Sequence, residues 1–330
     1  MLAKLKNMKL LEIILLTLII TSCSNIKTSD TEKYFNETFN LIKENSVKKN
    51  EINWTELEKT VRDTIKNFNS NYEVHLGIAY TMVLINDGHS IFGFPHKSDD
   101  KKAINHKKSN NHKNIIPPIQ TKVLENDIGY IKLSGLSIIS DSLSKSYTME
   151  IRKALLALDN SASLSGWIID LRENGGGRLS CESLGLAPLF ENSLIGISWN
   201  NKNIYSNIIC TNEYLKLGEN TQDSLLCDST LVNKHKKIAI LIDKKTVSSG
   251  EFLALAFKFQ DNTKTFGKPT RGKTSHCFFF NLKDDAVLLL ATAYYCDKNK
   301  NVIKNGITPD IECDSEKSLT KAIEWIKNAI

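Results

Sequence analysis

No stretch of this 330-residue chain holds the roughly 20 consecutive apolar residues that a membrane-spanning helix requires. The apolar run Ile13 to Ile20 near the N-terminus is too short to cross a bilayer by itself. There is no CxxC pair and no HExxH, so the usual grounds for a metal site are missing and none is expected. Internal repeats and low-complexity segments are also missing, which excludes solenoid and disordered classes. Basic residues outnumber acidic ones only mildly, for a formal charge of +6, and they are not gathered into one stripe. That distribution argues against a nucleic-acid partner. The densest basic run, His106 to Lys113, reads as a solvated loop.

What remains is the balance of a soluble globular protein, 41% hydrophobic and 24% charged, long enough for two or three compact units. Lys4, Lys6 and Lys9 precede the Ile13–Ile20 run, which ends in Ile20-Thr21-Ser22-Cys23. This arrangement resembles a bacterial lipobox, in which small residues admit the signal peptidase and the cysteine receives a lipid. The expectation is a signal peptide over residues 1–22, lipidation at Cys23 and a polar tether over 23–32. The chain would then be exported to the cell envelope, with the membrane as a partner through its lipid anchor. Export makes disulfides permissible for the other six cysteines, Cys181, Cys210, Cys227, Cys277, Cys296 and Cys313. Cys210 and Cys227 flank one polar insertion and form the favoured pair; buried free thiols are the alternative.

Residues 33–96 read as a helical region. Trp54, Leu57, Val61, Ile65 and Phe68 recur at spacings of three and four, one face of an amphipathic helix. Val74 to Ile85 is apolar nearly all round and is expected to be buried. A polar loop over 97–116 follows, closed by Pro117-Pro118. From 117 to 330, short apolar strands alternate with helices. Ile128–Leu133, Trp167–Leu171, Ile238–Ile242, Cys277–Asn281 and Ala286–Leu290 read as strands. Ser142–Leu158, Glu251–Phe259 and Glu316–Ile330 read as helices. The expected fold class is α/β (α+β), a mixed-sheet core with helices, preceded by the helical region.

Three segments place small or polar residues where a core would not require them. Asp170-Leu171-Arg172-Glu173-Asn174 leads into Gly175-Gly176-Gly177, whose backbone amides could line a cavity that holds an anion or oxyanion. Thr246-Val247-Ser248-Ser249-Gly250-Glu251 follows the strand Ile238–Ile242. A hydroxyl there caps a helix or serves as an exposed nucleophile, with the next amide to stabilise an oxyanion. Asp87-Gly88-His89-Ser90 ends the apolar helix, and its imidazole could take the proton of a weak hydroxyl nucleophile.

Together with GKPTRGK and GITPD in this order, these motifs resemble the tail-specific (C-terminal processing) peptidase family over roughly residues 80–311. The resemblance implies a serine peptidase whose nucleophile is Ser248, with an oxyanion hole built from Gly175, Gly176 and the Ser249 amide, and no cofactor. One branch of the family uses a lysine as base, which maps to Lys273. Another, the nisin-resistance branch, uses the histidine of the DGHS-like motif, here His89. No PDZ-like module lies between His89 and the IIDLR strand, and His89 is the favoured base, because a neutral imidazole accepts a proton near pH 7 without special burial. Lys273 is the alternative base, and a catalytically inactive peptide-binding relative is the alternative function. The implied substrate is a peptide or unstructured protein C-terminus. Gly267 to Thr274 also matches GxxxxGK[ST], the phosphate-binding loop, but the strand-like Cys277-Phe278-Phe279-Phe280 follows where a helix N-terminus is needed, so no nucleotide is expected.

Overall fold

A computed structural model describes residues 29–94, 116–136, 140–225 and 236–328. The signal segment, Cys23, Cys227 and almost all of the 97–116 loop lie outside the described residues. Three helices open the fold: α1 (Asp30–Asn45), α2 (Trp54–Ile65) and α3 (Asn71–Ile85). Each starts on a side chain that accepts an otherwise orphaned amide. Ser29 accepts from Glu32, Asn53 from Glu56, and Ser70 forms a capping box with Glu73. Phe35, Phe39, Trp54, Val61, Val74 and Ile78 form one apolar cluster that closes on Leu288 and Leu290. The expectation that α3 is buried all round fails. Val74, Ile78 and Ile85 face the cluster, but Tyr72, Leu76, Val83 and Leu84 are exposed, with Val83 at 70%. The helix is the outermost layer here and has only one side to bury.

The strands form two sheets. In the first, β3 (Ile128–Lys132), β4 (Gly166–Asp170), β9 (Lys237–Ile242), β10 (Thr263–Gly267) and β13 (Ile311–Glu312) run parallel, with β2 (Gln120–Leu124) antiparallel at one edge. Both faces of this sheet are covered, so its central strand β9 reads as a continuous apolar run from Ile238 to Ile242 rather than an alternating one. Ile128, Ile168, Ala239, Leu241 and Phe266 pack on the closing helix α7 (Ser315–Lys327). Ile131, Ile169, Ile238, Ile240 and Ile242 point the other way, into the main core, with α4 (Asp141–Ser161), α5 (Leu179–Leu186) and α6 (Ser249–Lys258).

The second sheet is antiparallel: β1 (Ile91–Gly93), β12 (Val287–Cys296), β5 (Leu194–Asn200), β6 (Tyr205–Cys210), β7 (Tyr214–Leu217) and β8 (Asn220–Ser224), with β11 (Ser275–Asn281) on the other edge of β12. β1 and β5 share one edge of β12, and the gap between them is closed by Val47, whose N–H donates to Ala291 O, and by Ser90, whose Oγ accepts from Ala291 N. The result is a mixed α/β fold with an N-terminal helical region. Cys210 is a free buried thiol, as are Cys181, Cys296 and Cys313, so the described residues hold no disulfide.

Candidate active site

Ser248 stands where β9 ends and α6 begins. Its φ of 57° and ψ of −116° lie outside the comfortable regions for an L-residue, a strain of about 1–3 kcal/mol that the surroundings must hold. Glu251, fully buried in the first turn of α6, does the holding. Its Oε2 accepts from Ser248 N (2.8 Å) and Lys273 N (2.9 Å), and its Oε1 from Thr270 Oγ1 (2.6 Å) and Gly272 N (2.7 Å). One carboxylate therefore ties the Ser248 backbone to the strap between β10 and β11. That strap is the GxxxxGKT run: it joins two strands, and its Thr270 is fixed in turn by Ile307 N.

The glycine turn lies against the same serine. A Cβ on Gly176 would meet Val247 O at 2.7 Å and Ser248 Cβ at 2.8 Å, and φ there is +80°, so only glycine fits. A Cβ on Gly175 would meet nothing within 4 Å. Asn174, wholly buried, organises this turn. Its Oδ1 accepts from Gly176 N (2.9 Å), its Nδ2 donates to Leu133 O (3.2 Å) and Glu182 Oε1 (2.9 Å), and its carbonyl accepts from Val247 N (2.9 Å). The Gly175 N–H donates to Ser134 O at 3.2 Å. Both glycine amides are thus satisfied internally, whereas the Ser249 N–H has no acceptor among the described residues. Glu182 sits beneath the turn on α5, and burial pushes its carboxyl up to about 7. The neighbouring Tyr147 hydroxyl is buried beside this carboxyl.

His89 reaches the site from the opposite direction, on the turn between α3 and β1. Its Nε2 lies 3.0 Å from Ser248 Oγ and its Nδ1 2.7 Å from Ser275 Oγ. Asp87 shapes the turn rather than the ring: its Oδ1 accepts from His89 N (2.9 Å) and Ser90 N (2.7 Å), and its Oδ2 from Ser90 Oγ (2.5 Å). Burial, then the positive charge of Lys273, hold His89 below the usual histidine range, against the opposing pull of Asp87 and the Ser275 backbone. A proton acceptor that stays neutral and touches a hydroxyl is what general-base chemistry requires. Lys273 is half-buried on the strap and makes no ion pair among the described residues.

The structure thus gathers Ser248, His89, Ser249 and Gly176 at one point, with Gly175 at its open side and Lys273 acting on His89 through space. Sequence reading missed three contributors. Asn174 carried a signal, lying inside the motif before the glycines. Ser275 and Glu182 carried none, because a lone serine or a helical glutamate has no spacing that marks it. The GITPD motif proves to be scaffolding: Asp310 Oδ2 accepts from Thr265 N and Thr265 Oγ1, both at 2.8 Å, and pins β10.

Comparison with known proteins finds that the sequence profile of peptidase family S41 matches residues 127–313. The nisin-resistance protein of Lactococcus lactis subsp. lactis is 34% identical over 197 residues, 58% of this chain and 58% of that protein. The chloroplastic carboxyl-terminal-processing peptidase 2 of Arabidopsis thaliana is 27% identical over 184 residues, 56% of this chain and 31% of that one. The chain therefore matches little more than half the length of the first relative and under a third of the second. A lipoprotein from Streptococcus agalactiae shares the fold, with a TM-score of 0.73, 22% identity, and coverage of 92% of this chain and 98% of that one.

Proposed function

The chain belongs to peptidase family S41, and on that premise we propose that it is a serine peptidase that uses a Ser248–His89 dyad to cut peptides or unstructured proteins near their C-termini. The observation that carries this reading is the 3.0 Å contact between His89 Nε2 and Ser248 Oγ, made across 159 residues of sequence to a serine held in a strained turn. His89 Nε2 takes the Ser248 proton as Oγ bonds to the substrate carbonyl carbon, and the carbonyl π pair moves onto its oxygen. Collapse expels the amine, which leaves with the proton from His89. Water then repeats the sequence on the acyl-enzyme and frees Ser248. The Ser249 N–H receives the oxyanion. The Gly175 and Gly176 amides join it by exchanging their internal acceptors for the substrate oxygen. Lys273 acts here as a charge that keeps His89 unprotonated, not as the base.

The relative named for nisin resistance supports a peptide substrate at the cell envelope. The lipobox-like Cys23 supports a lipid anchor, and the Arabidopsis relative's name supports C-terminal cleavage. Among the described residues no helix is long and apolar enough to cross a membrane. The deciding experiment is peptide cleavage by wild type beside Ser248→Ala, His89→Ala and Lys273→Ala. Loss with the first two and retention with the third is expected. Loss with Lys273→Ala and survival of His89→Ala would replace the dyad with a Ser–Lys pair.

A further inference from the structure

The Ser248–His89 reading leaves the second ring nitrogen of the base to be accounted for. We propose that the Ser275 hydroxyl is the orienting partner of His89, so that the relay runs Ser275–His89–Ser248 with no carboxylate in it. The inference rests on the dyad reading above and adds a positioning residue to it.

The two nitrogens of one buried imidazole face two hydroxyls, at 2.7 Å from Ser275 Oγ and 3.0 Å from Ser248 Oγ. For Nε2 to accept the Ser248 proton, the ring proton must sit on Nδ1, and the group on Nδ1 must accept it. Ser275 Oγ is the acceptor in place at 2.7 Å, with the Ser275 backbone beside it. Ser275 is itself buried and is the first residue of β11, in register with Tyr294 of β12, so its hydroxyl is set by the sheet. The nearby carboxylates are committed elsewhere. Asp87 takes the amides of its own turn and the Ser90 hydroxyl, and Glu251 takes four donors from the nucleophile turn and the strap.

A hydroxyl fixes the tautomer and the ring plane but brings no negative charge to neutralise an imidazolium. Among the described residues, the titratable groups that act on His89 are Asp87 on its own turn, Lys273 on the strap and His276 on β11, with Cys277 next to His276. Burial holds His276 neutral, pushed down to about 4, and lifts the Cys277 thiol to about 12. Asp87 and Lys273 are the charges that remain, and of the two Lys273 has the larger effect on His89. The base therefore stays unprotonated to lower pH than a carboxylate-backed histidine would.

The test follows labelling of the intact protein by a fluorophosphonate, which reads the nucleophile without any peptide substrate. Rates are measured from pH 4.5 to 8.5, beside peptide kcat and KM. Ser275→Ala is expected to slow labelling and kcat about tenfold, the worth of one hydrogen bond of about 1.4 kcal/mol, while KM stays put. Ser275→Thr, which keeps the hydroxyl, should recover the rate. Ser275→Asp should move the acid limb of the profile upward in pH, because a carboxylate on Nδ1 favours the charged ring. A Ser275→Ala protein that labels and cleaves as fast as wild type, with the same pH profile, overturns the proposal while the dyad stands. Wild type that labels no faster than Ser248→Ala overturns the dyad and this inference together.

Discussion

Replacing Glu251 by glutamine changes one oxygen to an NH2 group and should disable the site while leaving a folded protein. The carboxylate accepts four hydrogen bonds, three of them from backbone amides that cannot rotate away. The least damaging amide orientation turns the new NH2 toward Thr270, whose hydroxyl can reverse, but it strands the Gly272 N–H. The two bonds to Ser248 N and Lys273 N survive at neutral strength. Two charge-assisted bonds weakened by about 1 kcal/mol each and one buried donor orphaned at about 2 kcal/mol sum to a loss of about 4 kcal/mol. At this chain length that corresponds to a fall of about 8 °C in Tm. The strained φ of 57° at Ser248 loses part of its restraint in the same step. A nucleophile displaced by a fraction of an ångström should lower kcat by about 100-fold. Thermal unfolding by circular dichroism and peptide cleavage at 25 °C would measure both. A Glu251→Gln protein that melts with wild type and cleaves at its rate would refute the idea that this carboxylate holds the turn.

Glu182 gives a pH signature of stability. Its carboxyl titrates near 7 when folded against about 4.5 when unfolded, so the folded state binds the extra proton and loses stability as pH rises between those values. Glu182→Gln should therefore leave stability at pH 5 nearly unchanged and raise it at pH 8 by up to about 3 kcal/mol, read by urea unfolding at both pH values. A variant whose gain is the same at the two pH values would contradict this. The two glycines should separate cleanly: Gly175→Ala, with its Cβ in open space, should fold and melt like wild type, whereas Gly176→Ala must collide with Val247 and Ser248 and lose activity by at least about 100-fold. Equal activity in both variants would show that the close contact is relieved elsewhere. The activity profile should retain its plateau below the usual histidine range, since burial and Lys273 both depress His89, and Lys273→Ala should move the acid limb upward. An acid limb unmoved in that variant would remove Lys273 from the electrostatics of the base.

The parts of the fold that were legible are those in which burial is two-sided. Ile238–Ile242 is apolar without interruption, and Trp167–Leu171 is apolar except at Asp170, because helices cover both faces of their sheet, and such runs stand out against an Asn- and Lys-rich background. β5 to β8 were not legible. β6 mixes Tyr205, Ser206 and Asn207 with Ile208 and Ile209, and β8 is Asn220-Thr221-Gln222-Asp223-Ser224, an edge strand with nothing apolar to announce it. The segments that meet at Ser248 were readable because their local sequences are unusual: three glycines at a close approach, a hydroxyl before an acidic helix cap, a histidine in a tight turn. Ser275 and Glu182 were not, because their roles exist only after β11 and α5 have docked.

His89 belongs to the helical layer, and the segment matched by the family profile begins only at residue 127. On the dyad reading, residues 116–328 folded by themselves would carry Ser248 and the Ser249 amide without His89. The bond from Ala291 N to Ser90 Oγ and the pairing of β1 with β12 are therefore also the catch that arms the enzyme. Unless the helices seat on β12, His89 is not carried to Ser248. On that reading, competence to cleave depends on the helical region and the sheets being docked together.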